Sequence, residues 1–143
     1  MIVLDTNVIS EVLKPRPDAR VVAWLESVTD DVVTTAVTLA ELLAGLRRMP
    51  DGGRKAELAA RVESAIRPYL AAGAVIAFDA AAAVRYADIL AARERAGLPV
   101  STGDAQIAAI CRARDAACAT RNIKDFAHTG IALIDPWTGG EFA

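Results

Sequence analysis

The sequence predicts an α/β fold in which a parallel sheet of short strands is covered by helices on both faces. Apolar runs of three to five residues alternate with longer stretches of helical periodicity, an alternation typical of such sheets. At 143 residues with 54% hydrophobic side chains, the chain suits one domain over residues 1–143 with a sizeable core. Much of the hydrophobic fraction is alanine, which favours helices over a β sandwich.

The first half of the chain is predicted to form two strands and four helices. Pro15 and Pro17 end the first helix, Asp18 caps the second, and the turn after Pro50 separates the third from the fourth. The predicted strands are residues 2–4 and 32–34, and the predicted helices are residues 8–13, 19–27, 38–48 and 54–70.

The second half is predicted to form three further strands and two helices. Asp79 caps the first of these helices, and Gly97 stands where a glycine commonly follows a helix end. The predicted strands are residues 75–78, 116–120 and 131–134, and the predicted helices are residues 80–96 and 104–114.

Charge, cysteine usage and hydropathy limit the classes of protein that fit this sequence. Sixteen basic and eighteen acidic residues give a net charge of −2, which neither favours nor excludes a nucleic-acid partner because local clustering matters more. Cys111 and Cys118 are interpreted as buried free thiols. The apolar run 71–78 is too short to span a bilayer, and no signal peptide precedes Asp5. A cytoplasmic protein without a membrane partner is expected.

Acidic and amide side chains are predicted to gather at one edge of the sheet. In such sheets the strand C-termini and helix N-termini share an edge, and ligands bind there. Asp5 follows the first strand, Glu41 lies early in the helix after the second strand, and Asp104 opens the helix before the fourth strand. Asn122 and Asp125 follow the fourth strand. We therefore expect these five side chains to converge.

Carboxylates that converge in this way favour a bound cation. Two anions about 5 Å apart repel by roughly 3 kcal/mol at an effective dielectric constant of about 20, and a helix N-terminus offsets only about 0.3–1 kcal/mol. Oxygen ligands without histidine or cysteine select Mg²⁺ or Mn²⁺ over Zn²⁺. Such an ion can activate water and neutralise charge on a phosphoryl group. The pattern thus indicates phosphodiester hydrolysis.

Each acid, taken alone, also has a purely structural interpretation. Asp5 could cap the helix that follows it, and Glu41 could complete a capping box with Thr38. Asp104 could belong to an N-cap, and Asp125 could be an ordinary loop acid. Four unrelated caps need not converge at one edge, so their joint placement favours a site.

Four segments of the chain resemble PIN-domain toxins of the VapC type. They are MIVLDTNVISE at the N-terminus, TLAELLAGL around Glu41, GLPVSTGDAQIAAI around Asp104 and ATRNIKDFAHTGIALIDPW after it. TRNIKDF and IDPW look especially like the FitB-like branch. Thr102 and Gly103 before Asp104 depart from the commonest family pattern. The four segments span nearly the whole chain in the family's order.

The resemblance implies a three-layer α/β/α fold and a Mg²⁺- or Mn²⁺-dependent endoribonuclease, the toxin of a type II toxin–antitoxin system. Asp5 and Asp104 would be the principal metal ligands, Glu41 would complete the metal shell, and Asp125 would be the fourth catalytic acid. The residues that would support these carboxylates or shape the pocket are Thr6, Asn7, Thr120 and Asn122.

The resemblance also implies partners. A small cognate antitoxin would hold the toxin inactive, DNA would be reached only through the antitoxin, and the toxin would form a homodimer. RNA is the expected substrate. Arg121 and Lys124 lie beside the predicted site in the sequence and are candidates for contacts with its phosphates.

Two other classes of protein compete with this hypothesis. The first is a catalytically idle PIN scaffold that binds an antitoxin or RNA, although such a scaffold has no reason to keep clustered charge. The second is a magnesium phosphohydrolase or receiver-like protein, which needs an acid where this chain has Asn7. A Rossmann nucleotide-binding domain fits less well, because no glycine-rich loop follows the first strand.

Overall fold

The computed structural model describes residues 1–143, in which seven helices and six strands alternate along most of the chain. The strands are β1 (Ile2–Leu4), β2 (Val32–Thr35), β3 (Val75–Ile76), β4 (Ala117–Ala119), β5 (Leu133–Asp135) and β6 (Gly140–Phe142). The helices are α1 (Thr6–Val12), α2 (Ala19–Ser27), α3 (Ala36–Arg48), α4 (Gly53–Ala71), α5 (Ala80–Arg95), α6 (Thr102–Ala113) and α7 (Ile123–Phe126). No helix has the length and hydropathy needed to cross a membrane.

The six strands form one sheet in the order β3-β2-β1-β4-β5-β6, parallel except for β6, which runs antiparallel to β5. Strand β1 lies in the middle and pairs with β2 and β4, with Val3 opposite both Val33 and Cys118. The carboxyl ends of β1 and β4 stop together, since Leu4 pairs with Ala119. The residues that follow these strands therefore begin at the same edge.

Both faces of the sheet are buried, which confirms the three-layer α/β/α architecture. On β1, Val3 belongs to a core that contains residues of α5, α6 and α7, whereas Ile2 and Leu4 belong to a second core with residues of α1 to α4. This alternation follows from the two-residue period of a strand. The predicted run of short apolar strands buried on both sides is thus confirmed.

Four helices begin earlier than predicted: α4 by one residue, and α1, α3 and α6 by two residues each, with α6 starting at Thr102 after its N-cap Ser101. Helix α1 starts at Thr6 because Asp5 is its N-cap, and α3 starts at Ala36 because Thr35 is its N-cap. The Thr35 hydroxyl accepts a hydrogen bond from the Thr38 N–H at 3.1 Å. The structural alternative for Glu41, a capping box with Thr38, is therefore not formed, and Glu41 lies in the second turn of α3.

Two short elements were not predicted. Helix α7 is a single four-residue turn whose N-cap residue, Asn122, makes no side-chain cap hydrogen bond. Strand β6 has three residues at the open edge of the sheet, after a turn in which Gly139 adopts a positive φ of 73°. Neither segment is long enough to show helical or strand periodicity in its sequence.

Candidate active site

Asp5 stands at the junction between β1 and α1, directly beyond the central strand. Its side chain is buried, with 3% of the residue surface exposed. Oδ1 accepts a hydrogen bond from the Thr6 N–H at 2.7 Å, while Oδ2 accepts from the Thr120 hydroxyl at 2.8 Å and from the Asn7 amide at 3.1 Å. Asp5 is therefore a helix cap and a fixed carboxylate at the sheet edge at once.

The residues around Asp5 form one hydrogen-bond network across the ends of β1 and β4. The Asn7 amide also donates to the Thr120 hydroxyl at 3.2 Å, and the Asn122 N–H donates to the same hydroxyl at 3.0 Å. The Arg121 N–H donates to Asn7 Oδ1 at 3.3 Å. The chain between Thr120 and Asn122 is thus tied to the start of α1.

Glu41 and Asp104 line the same cleft as Asp5, a cavity of about 430 Å³. Asp104 is half-buried in the first turn of α6, whose N-cap is Ser101, and Glu41 is exposed on α3. Asp125 is exposed in the first turn of α7 and does not line the cleft. The structure therefore brings three of the four predicted acids to one cavity.

The buried position of Asp5 makes its negative charge unfavourable. Burial raises the pKa of Asp5 from 3.8 to about 6, although the hydrogen bonds from Thr120 and Thr6 act in the opposite direction. The nearby carboxylates of Asp104 and Glu41 raise this pKa further. Perturbed acids in a cleft are typical of functional sites.

The other two acids of the cleft are perturbed in the same direction. Burial raises the pKa of Glu41, and the charge of Asp104 adds to that effect. Burial also raises the pKa of Asp104, where the charge of Asp125 adds to it and the charge of Arg93 opposes it. Asp125 is therefore close enough to Asp104 to act on its charge.

The donor chemistry of the cleft fits a hard divalent cation. Its acids are Asp5, Glu41, Asp104 and Glu11, and neither histidine nor cysteine lines it, which favours Mg²⁺ or Mn²⁺. As the side chains stand, no three acidic, histidine or cysteine residues form a group placed to hold a metal ion. Mutual repulsion between carboxylates favours such separation.

Comparison with known proteins identifies the family. A family profile described as the PIN domain matches residues 2–132. The chain belongs to the PIN-domain family. Toxin FitB of Neisseria gonorrhoeae is 41% identical over 138 residues, which are 96% of this chain and 99% of FitB. VapC ribonuclease Y4jK of Sinorhizobium fredii is also 41% identical over 138 residues, 96% of this chain and 98% of the relative.

The PIN fold is confirmed by solved structures as well. A chain in the structure of FitAB bound to an IR36 DNA fragment superposes with a TM-score of 0.87 at 39% identity, covering 96% of each chain. The resemblance to FitB-like and VapC toxins that four sequence segments indicated is thereby confirmed over almost the full length.

Within this PIN domain, Gly103 leaves room for Glu41 beside the start of α6. A Cβ atom at position 103 would lie 2.9 Å from Glu41 Oε1, closer than ordinary van der Waals contact. The departure from the commonest family pattern at this position therefore affects the site directly. A larger residue would push the Glu41 carboxylate away from where it now lies.

Four cleft residues of the PIN domain were not singled out as functional from the sequence, namely Ser10, Glu11, Lys14 and Trp137. Glu11 is buried and accepts a hydrogen bond from Lys14 Nζ at 3.0 Å, which lowers the pKa of Glu11. Trp137 lies beneath Arg121, whose guanidinium carbon is 5.1 Å from the ring centre. The position of Glu11, one helical turn after Asn7, is the signal that could have placed it at the cleft.

The two predicted phosphate contacts differ in position. Arg121 lines the cleft, whereas Lys124 is exposed on α7 and does not. Because the ring of Trp137 holds the Arg121 guanidinium through a cation–π contact, this charge sits at a defined place on the rim. Arg121 makes no salt bridge within the chain.

Proposed function

We propose that this PIN-domain protein is the toxin of a type II toxin–antitoxin system and hydrolyses RNA phosphodiester bonds with Mg²⁺ or Mn²⁺. The observation that carries the proposal is the convergence of Asp5, Glu41 and Asp104, from three separate elements, on one cleft. The name of one relative, Toxin FitB, supports the toxin role, and the name of another, VapC ribonuclease Y4jK, supports the hydrolysis of RNA. Action on cellular RNA would place the activity in the cytoplasm.

Asp5 and Asp104 would hold the ion, and Glu41 would complete its shell. The bound ion would supply an activated water and would neutralise charge on the phosphoryl group. Asp5 is oriented for this role because Oδ2 accepts two hydrogen bonds and Oδ1 only one, which leaves Oδ1 a lone pair for a ligand. Asp125 would act as the fourth acid, next to Asp104.

Arg121 is the side chain best placed to contact an RNA phosphate at this cleft. Its guanidinium makes no salt bridge within the chain, and it lies over the ring of Trp137. A guanidinium binds phosphate through paired hydrogen bonds. Lys14, the other cation of the cleft, already binds Glu11. Lys124 would contact RNA only farther along the strand, beyond the cleft.

An antitoxin partner is supported by an apolar groove of about 620 Å³ that continues from the cleft. Leu13, Leu42, Leu46 and Leu58 lie along it. Three cations also line it, namely Lys14, Arg48 and Arg61. An amphipathic helix with acidic residues matches this apolar and basic lining, and we assign it to the antitoxin, which alone would contact DNA. Assembly of the toxin as a homodimer is part of the same proposal.

The decisive experiment is RNA cleavage by purified toxin with and without Mn²⁺. Asp5→Asn and Asp104→Asn should abolish cleavage while both proteins remain folded, as circular dichroism would show. Asp88→Asn, which changes an exposed acid on α5, is the matched control and should cleave normally. A catalytically idle scaffold would instead bind antitoxin or RNA, show no cleavage and bind no Mn²⁺ in calorimetry.

A further inference from the structure

Arg93 is a buried cation on α5 that the proposed chemistry does not use. Only 3% of its surface is exposed. Nη1 donates to the carbonyl oxygens of Lys124 at 3.1 Å and Ala127 at 2.8 Å, and Nη2 donates to the carbonyl oxygen of Pro99 at 2.7 Å. One guanidinium therefore binds three main-chain carbonyls from two separate segments.

The environment of Arg93 lacks the counter-ion that a buried charge normally has. No acidic side chain lies within salt-bridge distance, and the Nε–H is buried without a partner. Burying a charge without an ion pair is costly. An apolar side chain would avoid the cost of a buried charge but would leave the carbonyls of Pro99, Lys124 and Ala127 without these donors. The guanidinium therefore joins the two segments through hydrogen bonds and does not merely fill space.

The two segments that Arg93 joins are those that present two of the four acids. Pro99 lies two residues before Ser101, whose hydroxyl accepts from the N–H of Asp104 at 3.2 Å and so caps α6. The carbonyls of Lys124, within the single turn of α7, and of Ala127, its C-cap, lie on either side of Asp125 in the sequence. Helix α7 has no side-chain cap of its own at its N-terminus. Phe126 anchors it in the core, and Arg93 ties its main chain to the segment before α6.

We propose that Arg93 is a positioning residue that holds α7 against the start of α6 and so keeps Asp125 beside Asp104, the acid that would hold the metal ion in the cleft. The inference rests on the proposed function, because it assumes that these acids serve a metal. Arg93 itself does not touch the cleft. Its buried charge also compensates part of the negative charge that the acids bring together.

The geometry explains why arginine stands at this position. The planar guanidinium directs donors along several fixed directions, and here two of its nitrogens serve carbonyls on opposite sides. Lysine would keep the charge but would reach fewer of these carbonyls from one nitrogen. Methionine would keep much of the apolar stem and remove the charge together with all three hydrogen bonds.

The test compares Arg93→Met and Arg93→Lys with Ile89→Val, a change at a fully buried residue one turn earlier on α5. Mn²⁺ binding is measured by calorimetry on the full chain, and hydrogen exchange is followed without metal in residues 97–104 and 122–127. Arg93→Met should weaken Mn²⁺ binding by about 10- to 100-fold and speed exchange in both segments. Arg93→Lys should recover part of the affinity, and Ile89→Val should change neither readout.

The outcomes separate this inference from the proposed function. If wild-type protein binds Mn²⁺ and Arg93→Met binds it equally well, the positioning role is wrong and the proposed function stands. If wild-type protein binds no Mn²⁺, both the positioning role of Arg93 and the proposed function are wrong. Should Arg93→Met fail to fold, Arg93→Lys decides: weaker Mn²⁺ binding with faster exchange around α7 supports the role, and unchanged binding refutes it.

Discussion

Asp5→Asn is expected to make the metal-free protein more stable at neutral pH, although it should destroy activity. The pKa of Asp5 is raised from 3.8 to about 6 in the folded chain. One pKa unit corresponds to about 1.4 kcal/mol, so ionised Asp5 lowers the free energy of unfolding by about 3 kcal/mol above pH 6. Asparagine removes this cost but makes poorer hydrogen bonds, a loss of about 1 kcal/mol. The net gain is about 2 kcal/mol.

The sign of the pH dependence follows from the direction of the shift. Because the pKa of Asp5 is higher in the folded state, the folded chain binds more protons than the unfolded chain between about pH 4 and pH 6. The contribution of Asp5 to stability therefore falls as pH rises through this window. The advantage of Asp5→Asn should be complete at pH 8 and should shrink below about 1 kcal/mol at pH 5.

Urea unfolding of both proteins at pH 8 and pH 5, in a metal chelator, measures this difference. At pH 8 the variant should also melt about 4–8 °C higher. Asp88→Asn serves as the control for loss of an exposed acid and should leave stability nearly unchanged. Excess Mn²⁺ should stabilise wild-type protein and not Asp5→Asn. If Asp5→Asn is less stable than wild type at pH 8 without metal, the claim that burial strains this carboxylate is refuted.

Three further substitutions test other parts of the site. Thr120→Val removes a donor to the buried carboxylate and should weaken Mn²⁺ binding in calorimetry by about 10- to 100-fold, with Thr120→Ser restoring it. Gly103→Ala should displace Glu41, since the new Cβ would lie 2.9 Å from its Oε1, and should also weaken Mn²⁺ binding; Gly53→Ala, with nothing within 4 Å, is its control. Leu58→Glu places a negative charge in the apolar groove and should weaken antitoxin binding by about tenfold or more in a pull-down titration, with RNA cleavage unchanged.

Each of these expectations has a clear contrary result. Wild-type Mn²⁺ affinity in Thr120→Val would show that the Thr120 hydroxyl does not orient Asp5. Equal behaviour of Gly103→Ala and Gly53→Ala would mean that Glu41 has no part in the metal shell. If Leu58→Glu binds the antitoxin as tightly as wild type does, the antitoxin does not bind in the apolar groove.

Most helices and parallel strands of this fold could be predicted because their sequence signals are local. Asp18 accepts from the Arg20 N–H and begins α2 at the predicted residue, since capping depends on neighbours in sequence. The start of α3 was misplaced because Thr35 and Thr38 are equally good cap residues, and only the pairing of β2 decides between them. The order of the strands, and the antiparallel β6, depend on contacts that no local pattern encodes.

The residues of the candidate site also divide into those with a local sequence signal and those placed by contacts between distant elements. Asp5 and Asp104 could be placed at one edge because strand ends and helix starts share that edge in a parallel sheet. The buried position of Arg93 could not be predicted, because nothing in the segment Arg93-Glu94-Arg95 distinguishes the buried residue from its exposed neighbours. Trp137 is a buried core residue, and its contact with Arg121 exists only because β4 and the end of β5 lie side by side.

The cost of Asp5 is itself an argument for a functional cleft. Domains of this size are stable by about 5–15 kcal/mol in total, so a destabilisation of about 3 kcal/mol from one carboxylate is a large share. Three donors surround Asp5 and still leave its pKa near 6. An asparagine would cap α1 equally well, so capping does not account for an acid here. A divalent cation would account for it, because a bound cation favours the ionised form that burial opposes.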